Sequence, residues 1–333
     1  MKLAANLIHG PGDKVSAFAA RAEELGVHSL WRGEAYAGDA VTAIAWAAAQ
    51  TSRIVLGSAV MQMAARTPAM TAMTALSLHE LTGGRFICGI GMSGPQVVEG
   101  WHGVAYTPPL RTTREYVAIM RAIFRAESAV SFDGDVFQLP YRGDGATGLG
   151  KALRPRTTAA PELPIYVAAI GPKNVALATE VADGLLPILW NPYRVAEGFG
   201  DALAGARRPE FEIAATVPVA VGLDVASCRD KVRPWIAAFV GAMGARSRNF
   251  YNALVRRYGF GEAAESVQEA FLSGRRAEAV SLVPDELVDE LALVGDRARI
   301  AASLDAWRES GVDTIIIASP TDASMRLMAE LLA

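Results

Sequence analysis

Residues 53–61 read Arg-Ile-Val-Leu-Gly-Ser-Ala-Val-Met, a short apolar and β-branched run that starts on a charge. A run of that length and composition predicts a strand covered on both faces. Pro68–Leu81 then shows helical character, with Pro68 suited to a first turn. Arg85–Gly91 then returns to an apolar run. Strand, helix and strand in this order predict a crossover between parallel strands.

The same alternation extends in both directions. Upstream, strands are expected at Lys2–Ile8 and Val27–Arg32, followed by helices at Asp13–Leu25 and Ala40–Gln50. The first helix places Val15, Phe18, Ala19, Ala22 and Leu25 on one face. Downstream, helix Leu110–Arg125 precedes strand Pro164–Ala169, helix Asn174–Ala182, strand Gly184–Leu189 and helix Tyr193–Ala206. Strand Phe211–Val221, helix Asp296–Ser310, strand Val312–Ala318 and helix Ala323–Leu332 complete the series. Eight strands, each followed by helix, predict an α/β fold closed as a (β/α)8 TIM barrel. A doubly wound open sheet is the competing arrangement. Two segments exceed the pattern and are expected to be insertions in a single domain spanning 1–333. One, near 130–163, contains an expected hairpin at Ser131–Leu139 and a loop rich in Gly, Pro and Thr. The other, near 224–292, is mostly helical and too long for one connection.

Composition narrows the function classes. Of the 333 residues, 51% are hydrophobic, so a sizeable core is available and disorder is excluded as the general state. The net charge of −3 leaves no basic excess for a nucleic-acid backbone. No run without a charged residue is longer than Ala40–Ser52, which is too short for a membrane span. The first ten residues read as a strand rather than a leader. Cys88 and Cys228 are far apart and the four histidines are dispersed, so neither a disulfide framework nor a metal site is expected. A cytoplasmic setting follows as the default. The Ala-rich, charge-poor helices at 40–50 and 68–81 would suit a homodimer face, with Met61, Met63, Met70 and Met73 as core or interface filler.

In a barrel the chemistry sits at the carboxyl ends of the strands. Glu34 follows the second strand, where a carboxylate can serve acid/base work or simply pair with Arg32 or Arg66. Gly89-Ile90-Gly91-Met92-Ser93-Gly94 matches a dinucleotide fingerprint, but on the fourth strand and with Pro95 following. Its small residues either let backbone approach a flat ring or phosphate or merely shape a turn. Gly171-Pro172-Lys173-Asn174 opens a helix, either as an anion-binding turn or as an ordinary loop. His102, beside Trp101, can hydrogen-bond a substrate or play a structural part.

Residues 29–35 (Ser-Leu-Trp-Arg-Gly-Glu-Ala), 53–60, 83–91 and 93–103 (Ser-Gly-Pro-Gln-Val-Val-Glu-Gly-Trp-His-Gly), taken in order and spacing, resemble the bacterial luciferase-like superfamily. Within it they look most like the coenzyme F420-dependent oxidoreductases, and Pro164–Ala169, residues 171–174 and Asp183-Gly184 extend the likeness over nearly the whole chain. The resemblance implies a non-prolyl cis peptide at Ala59–Val60, against the central ring of the cofactor. It implies that Glu34 and Ala35 flank the ring, that Gly91, Met92, Ser93 and Gly94 pack along the cofactor, and that Ala169, Ile170 and Gly171 form the phosphate-binding turn. Several relatives carry His where this chain has Ala35, and sugar-phosphate dehydrogenases of the family carry Glu where it has Gly94. Their activities and substrates therefore do not transfer. Glu34, Tyr36 and His102 remain as candidate proton-handling residues, beside water. The expected activity is hydride transfer between F420 and a small organic substrate, in the direction of reducing a C=C, C=N or C=O bond. Lys173, Arg66 and Arg194 are candidate cations for the anionic cofactor tail. An FMN-dependent monooxygenase and a non-catalytic flavin- or deazaflavin-binding protein are the alternatives.

Overall fold

The computed structural model describes residues 1–34, 36–203 and 210–333. Eight parallel strands close on themselves: β1 (Lys2–Asn6), β2 (Ser29–Arg32), β3 (Val55–Ser58), β4 (Phe86–Gly91), β5 (Ile165–Val167), β6 (Gly184–Leu185), β7 (Glu212–Val217) and β8 (Thr314–Ile317). Each pairs with the next, and β8 returns to β1. Closure rules out the open doubly wound sheet and leaves no unpaired edge among the eight barrel strands. The expected helix Pro68–Leu81 forms with those bounds, and Thr67 caps it by accepting from the Met70 amide. Asp39 caps Ala40–Ala48 in the same way through the Thr42 amide.

Strand periodicity explains the layers. Ala4, Trp31, Tyr166, Leu186, Ala214 and Ile316 point inward and fill the barrel. Their neighbours Leu3, Ala5, Leu30, Leu56, Phe86, Ile165, Ile213 and Ile315 point outward beneath the helices. The Trp31 and Tyr166 rings lie 5.8 Å apart. They fit because β3 and β6 carry glycine opposite them: a Cβ on Gly57 would sit 2.4 Å from the Trp31 ring, and one on Gly184 would sit 2.7 Å from Tyr166.

Several expected strands are shorter than the apolar runs that predict them. The run 53–61 ends as β3 at Ser58 and resumes as Met61–Gln62. Leu56 and Gly57 pair with Phe86 and Ile87, whereas Met61 and Gln62 pair with Ile90 and Gly91. Three residues, Ser58 to Val60, thus face two, Cys88 and Gly89, which is a bulge. The Ala59–Val60 peptide within it is cis, as the resemblance implies. Pro218 splits the run 211–221, and Val219–Val221 leaves the barrel to pair with Leu293–Gly295. The run 184–189 keeps only a two-residue strand and one bridge, Ile188 to Thr216. The helix expected at 193–206 is realised as Val195–Phe199 and a 3-10 turn, Gly200–Leu203, and its last residues lie outside the described ones.

The hairpin forms between Phe132–Asp133 and Gln138–Leu139. The 224–292 segment is helical, with Val225–Ala237, Phe250–Arg257, Gly261–Leu272, Arg276–Ser281 and Asp285–Leu291 as its α-helices. No helix among the described residues is long and apolar enough to cross a membrane, and no group of His, Cys, Asp and Glu among them is placed to hold a metal.

Candidate functional site

The bulge of β3 shapes the mouth of the barrel. Ser58 Oγ donates to the Gly89 carbonyl at 2.8 Å and accepts from the Gly89 amide at 2.9 Å. A Cβ on Gly89 would lie 1.8 Å from the Ser58 carbonyl oxygen, so only glycine permits this contact. Gly91 likewise leaves room for Val60, whose Cγ2 would be 2.8 Å from a Cβ there. Ala59, Val60 and Ala168 consequently lie half-buried on top of the inner barrel layer. They form a floor of small apolar groups.

A cavity of about 440 Å³ opens beside this floor. Glu34, Tyr36, Asp39, Gln62, Arg66, Trp101 and His102 are among its lining residues. The structure thus brings together the three residues singled out for proton handling. Their situations differ. The Glu34 carboxylate, 8% exposed, accepts from Arg66 Nη1 at 2.7 Å, the Gln62 amide at 2.9 Å and the Ala40 amide at 3.3 Å. Of its two suggested partners, Arg66 is the one that pairs. Arg32 turns away to the Leu7 carbonyl and His9 Nδ1. Arg66 also pairs with Asp39, and the two carboxylates hold its guanidinium pKa up against the effect of burial. Glu34 is therefore an acceptor that fixes its neighbours rather than an open acid. Tyr36 and Trp101 stand exposed at the rim, ring centroids 6.2 Å apart and tilted by 57°.

Gln62 joins these parts, and nothing in the sequence marked it out beyond its place at the end of an apolar run. It is 5% exposed. Its Nε2 donates to the Glu34 carbonyl at 2.6 Å, and its Oε1 accepts from Ser93 Oγ at 3.1 Å. His102 Nε2 lies 2.9 Å from the same oxygen. Ser93 reaches it from a left-handed backbone, φ 59°, unusual for a residue with a Cβ.

Across the mouth, Ala169 is buried while Ile170 and Gly171 are half-buried, and Gly171 caps the helix Pro172–Val181. A Cβ on Gly171 would meet only Asn174 Nδ2, at 3.9 Å, so the turn is open. Lys173 is exposed beside it. Arg257, brought in by the helix Phe250–Arg257, donates to the carbonyls of Ile170 at 3.1 Å and Gly198 at 2.9 Å. Arg194 is bound instead to Glu290 and Glu286, so that expected cation is neutralised within the protein. Arg66 is spent in the same manner on Glu34 and Asp39. Met92 and Ala168 border a small gap of about 30 Å³ between the two sides of the mouth. Gly94 is half-buried and caps the short helix Pro95–Val98. Ala35 lies outside the described residues.

A flat apolar floor, a polar cluster on one side and an open helix start with an exposed cation on the other fit a ring with an anionic tail. Known proteins resemble this chain over most of its length. A protein of Mycobacterium tuberculosis, named as a candidate coenzyme F420-dependent oxidoreductase, is 40% identical over 96% of this chain and 95% of its own. The 5,10-methylenetetrahydromethanopterin reductase of Methanolobus tindarius is 28% identical over 92% of this chain and 90% of its own. Among solved structures, the coenzyme F420-dependent tetrahydromethanopterin reductase of Methanopyrus kandleri superposes with a TM-score of 0.81. It covers 99% of this chain and 98% of its own, at 19% identity. The profile of the luciferase-like monooxygenase family matches residues 4–314, and the chain belongs to that family.

Proposed function

We propose that this protein is a coenzyme F420-dependent oxidoreductase that reduces a C=C, C=N or C=O bond of a small organic substrate. The observation that carries the reading is the 40% identity, end to end, with a relative named for that activity. When bound, the deazaflavin supplies or accepts hydride at its ring C5. Ala59, Val60 and Ala168 would carry one face of its ring, with Glu34 and Ala35 at its edge and Gly91, Met92, Ser93 and Gly94 along it. Ala169, Ile170 and Gly171, with the amides that follow and Lys173, would take its phosphate.

The chain's own residues supply orientation and proton handling. Arg66, Asp39 and Glu34 hold Gln62 in place, and Gln62 holds Ser93 and His102. His102 and Tyr36 present polar atoms to the cavity where the substrate would lie. Tyr36, Trp101 and Met243 supply an exposed apolar rim, which favours substrates with an apolar body. Segments 130–163 and 224–292 are read as insertions of one barrel domain. The helices Ala40–Ala48 and Pro68–Leu81 expose Trp46, Met70, Met73 and Leu81, which supports a homodimer through that face. A cytoplasmic setting suits a protein with two buried, unpaired cysteines.

The test is equilibrium binding of F420 and FMN to the purified protein, followed by a screen of enones, imines and ketones for substrate-dependent reoxidation of reduced F420. F420 binding with turnover is expected. Tight FMN binding without F420 binding would move the protein to the monooxygenase reading. F420 binding with no turnover would leave a binding protein.

A further inference from the structure

We propose that Gln62 is the positioning residue that fixes the tautomer of His102, and that His102 Nδ1 is the atom that passes the proton to or from the substrate. The inference rests on the oxidoreductase reading and adds to it the proton-handling atom and the residue that governs it.

The argument starts from the Gln62 amide. Its orientation is decided by the Glu34 carbonyl, 2.6 Å from Nε2. Turning the amide over would bring two carbonyl oxygens to that distance, which is repulsive. Oε1 therefore faces Ser93 and His102. An amide oxygen only accepts, so His102 Nε2 carries the hydrogen at 2.9 Å. In the neutral ring Nδ1 is then the lone-pair atom, and it has no hydrogen-bond partner among the described residues. His102 lines the cavity.

For reduction of a C=O bond, the carbon takes a hydride from the reduced deazaflavin, which is oxidised, and the oxygen takes a proton. The Nδ1–H bond of the imidazolium breaks, an O–H bond forms, and the electron pair stays on Nδ1. The ring returns to the neutral tautomer that Gln62 already holds, and water restores its proton. In the reverse direction the same nitrogen accepts the proton. Because its partner is a neutral amide and not a carboxylate, no anion is hydrogen-bonded to the ring to hold the Nδ1 proton back during its transfer to the substrate. The titratable and charged groups that share the cavity are Glu34, Asp39, Arg66 and Tyr36, and Glu99 precedes His102 on its own segment. Glu34, Asp39 and Arg66 are bound to one another and leave one net negative charge in the cavity lining, and neither carboxylate is hydrogen-bonded to the His102 ring.

The experiment is an NMR titration of the histidine rings in the cofactor-free protein, with His102 assigned through His102→Asn. Gln62→Glu should raise the His102 midpoint by about one pH unit or more, while His9, His28 and His79 stay in place. Gln62→Leu should lose the uniform Nε2–H signature in the ring 15N shifts. With F420 and a substrate, Gln62→Glu should move the alkaline limb of the kcat profile upward by a matching amount. Gln62→Leu should lower kcat about tenfold or more, with the Kd for F420 changed by less than about threefold. Circular dichroism confirms that each variant is folded. An unmoved His102 titration in Gln62→Glu, or full turnover in His102→Asn, overturns the proposal. Absence of any F420-linked turnover in the wild-type protein overturns the oxidoreductase reading instead, and the cofactor-free titration still decides whether Gln62 governs His102.

Discussion

The two ends of this barrel use carboxylates in the same way for different purposes. At the end where strands begin, Glu23 accepts from the amides of Ser52, Arg53 and Ile54, at distances down to 2.7 Å, and ties the entry of β3. Asp183 does the same for Ile165 at the entry of β5, and Asp313 for Ile213 at the start of β7. At the end where strands finish, Glu34 accepts from two amides and one guanidinium, and two of the residues it fixes, Gln62 and Arg66, border the cavity. The first set holds main chain against main chain. The second holds side chains at the angles a substrate would meet. Glu23 and Glu34 are both largely buried and both accept three or more hydrogen bonds, so a satisfied carboxylate is no sign of function by itself. What its partners face is what separates them.

Substitutions can break or sharpen that comparison. The largest effect is expected from Arg66→Met. It strands Glu34 and Asp39 and should cost about 3 kcal/mol of stability, as breaking a buried pair does. Turnover should fall with it, because Gln62 loses its support. A melting point and kcat both close to wild type would show that the mouth is not organised through this pair. Glu23→Ala should come next. Losing an acceptor for three amides should cost about 2 kcal/mol, yet leave the Kd for F420 unchanged. A weakened cofactor affinity there would erase the distinction between the ends. The same site has a pH signature. Burial raises the Glu23 carboxyl, but the amides of Ile54, Arg53 and Ser52 outweigh it and hold its pKa down to about 2, from 4.5. Its contribution is fully present above about 4.5 and lost as pH falls towards about 2. The melting-point gap between wild type and Glu23→Ala should therefore be constant near neutrality and narrow below that upper value. The smallest effect is expected from Lys173→Gln. The exposed lysine should leave the melting point alone and weaken F420 binding about threefold to tenfold, with a shallower salt dependence.

Much of the barrel was legible because its signals are local. The apolar run at 53–61, the helix from Pro68 and the apolar run at 85–91 each report on a few adjacent residues. The bulge was not legible from composition, since it is a mismatch in count between Ser58–Val60 and Cys88–Gly89 on another strand. The cis bond inside it was expected only through family resemblance. Glu34 and Tyr36 were visible as polar residues after an apolar run and His102 as a histidine beside Trp101, and all three do converge on one cavity. Gln62 was passed over although it stands in the same position after β3. A polar residue directly beyond a barrel strand is the signal that would have found it. Arg194 shows the opposite limit: its charge was visible, but Glu286 and Glu290, which cancel it, come from the helix Asp285–Leu291, over 90 positions away.

The sequence alone determined the alternation of strand and helix, the absence of metal spacing and the near balance of charge, because these depend on residue type and short-range order. Only the tertiary structure decided which charges are spent and which are free. Arg66 meets Glu34 across 32 positions, Gln62 meets His102 across 40, and Arg257 meets Ile170 across 87. Hydrogen bonds of about 3 Å demand that both partners be placed to within a fraction of that distance. Closing the ring of eight strands is what places them.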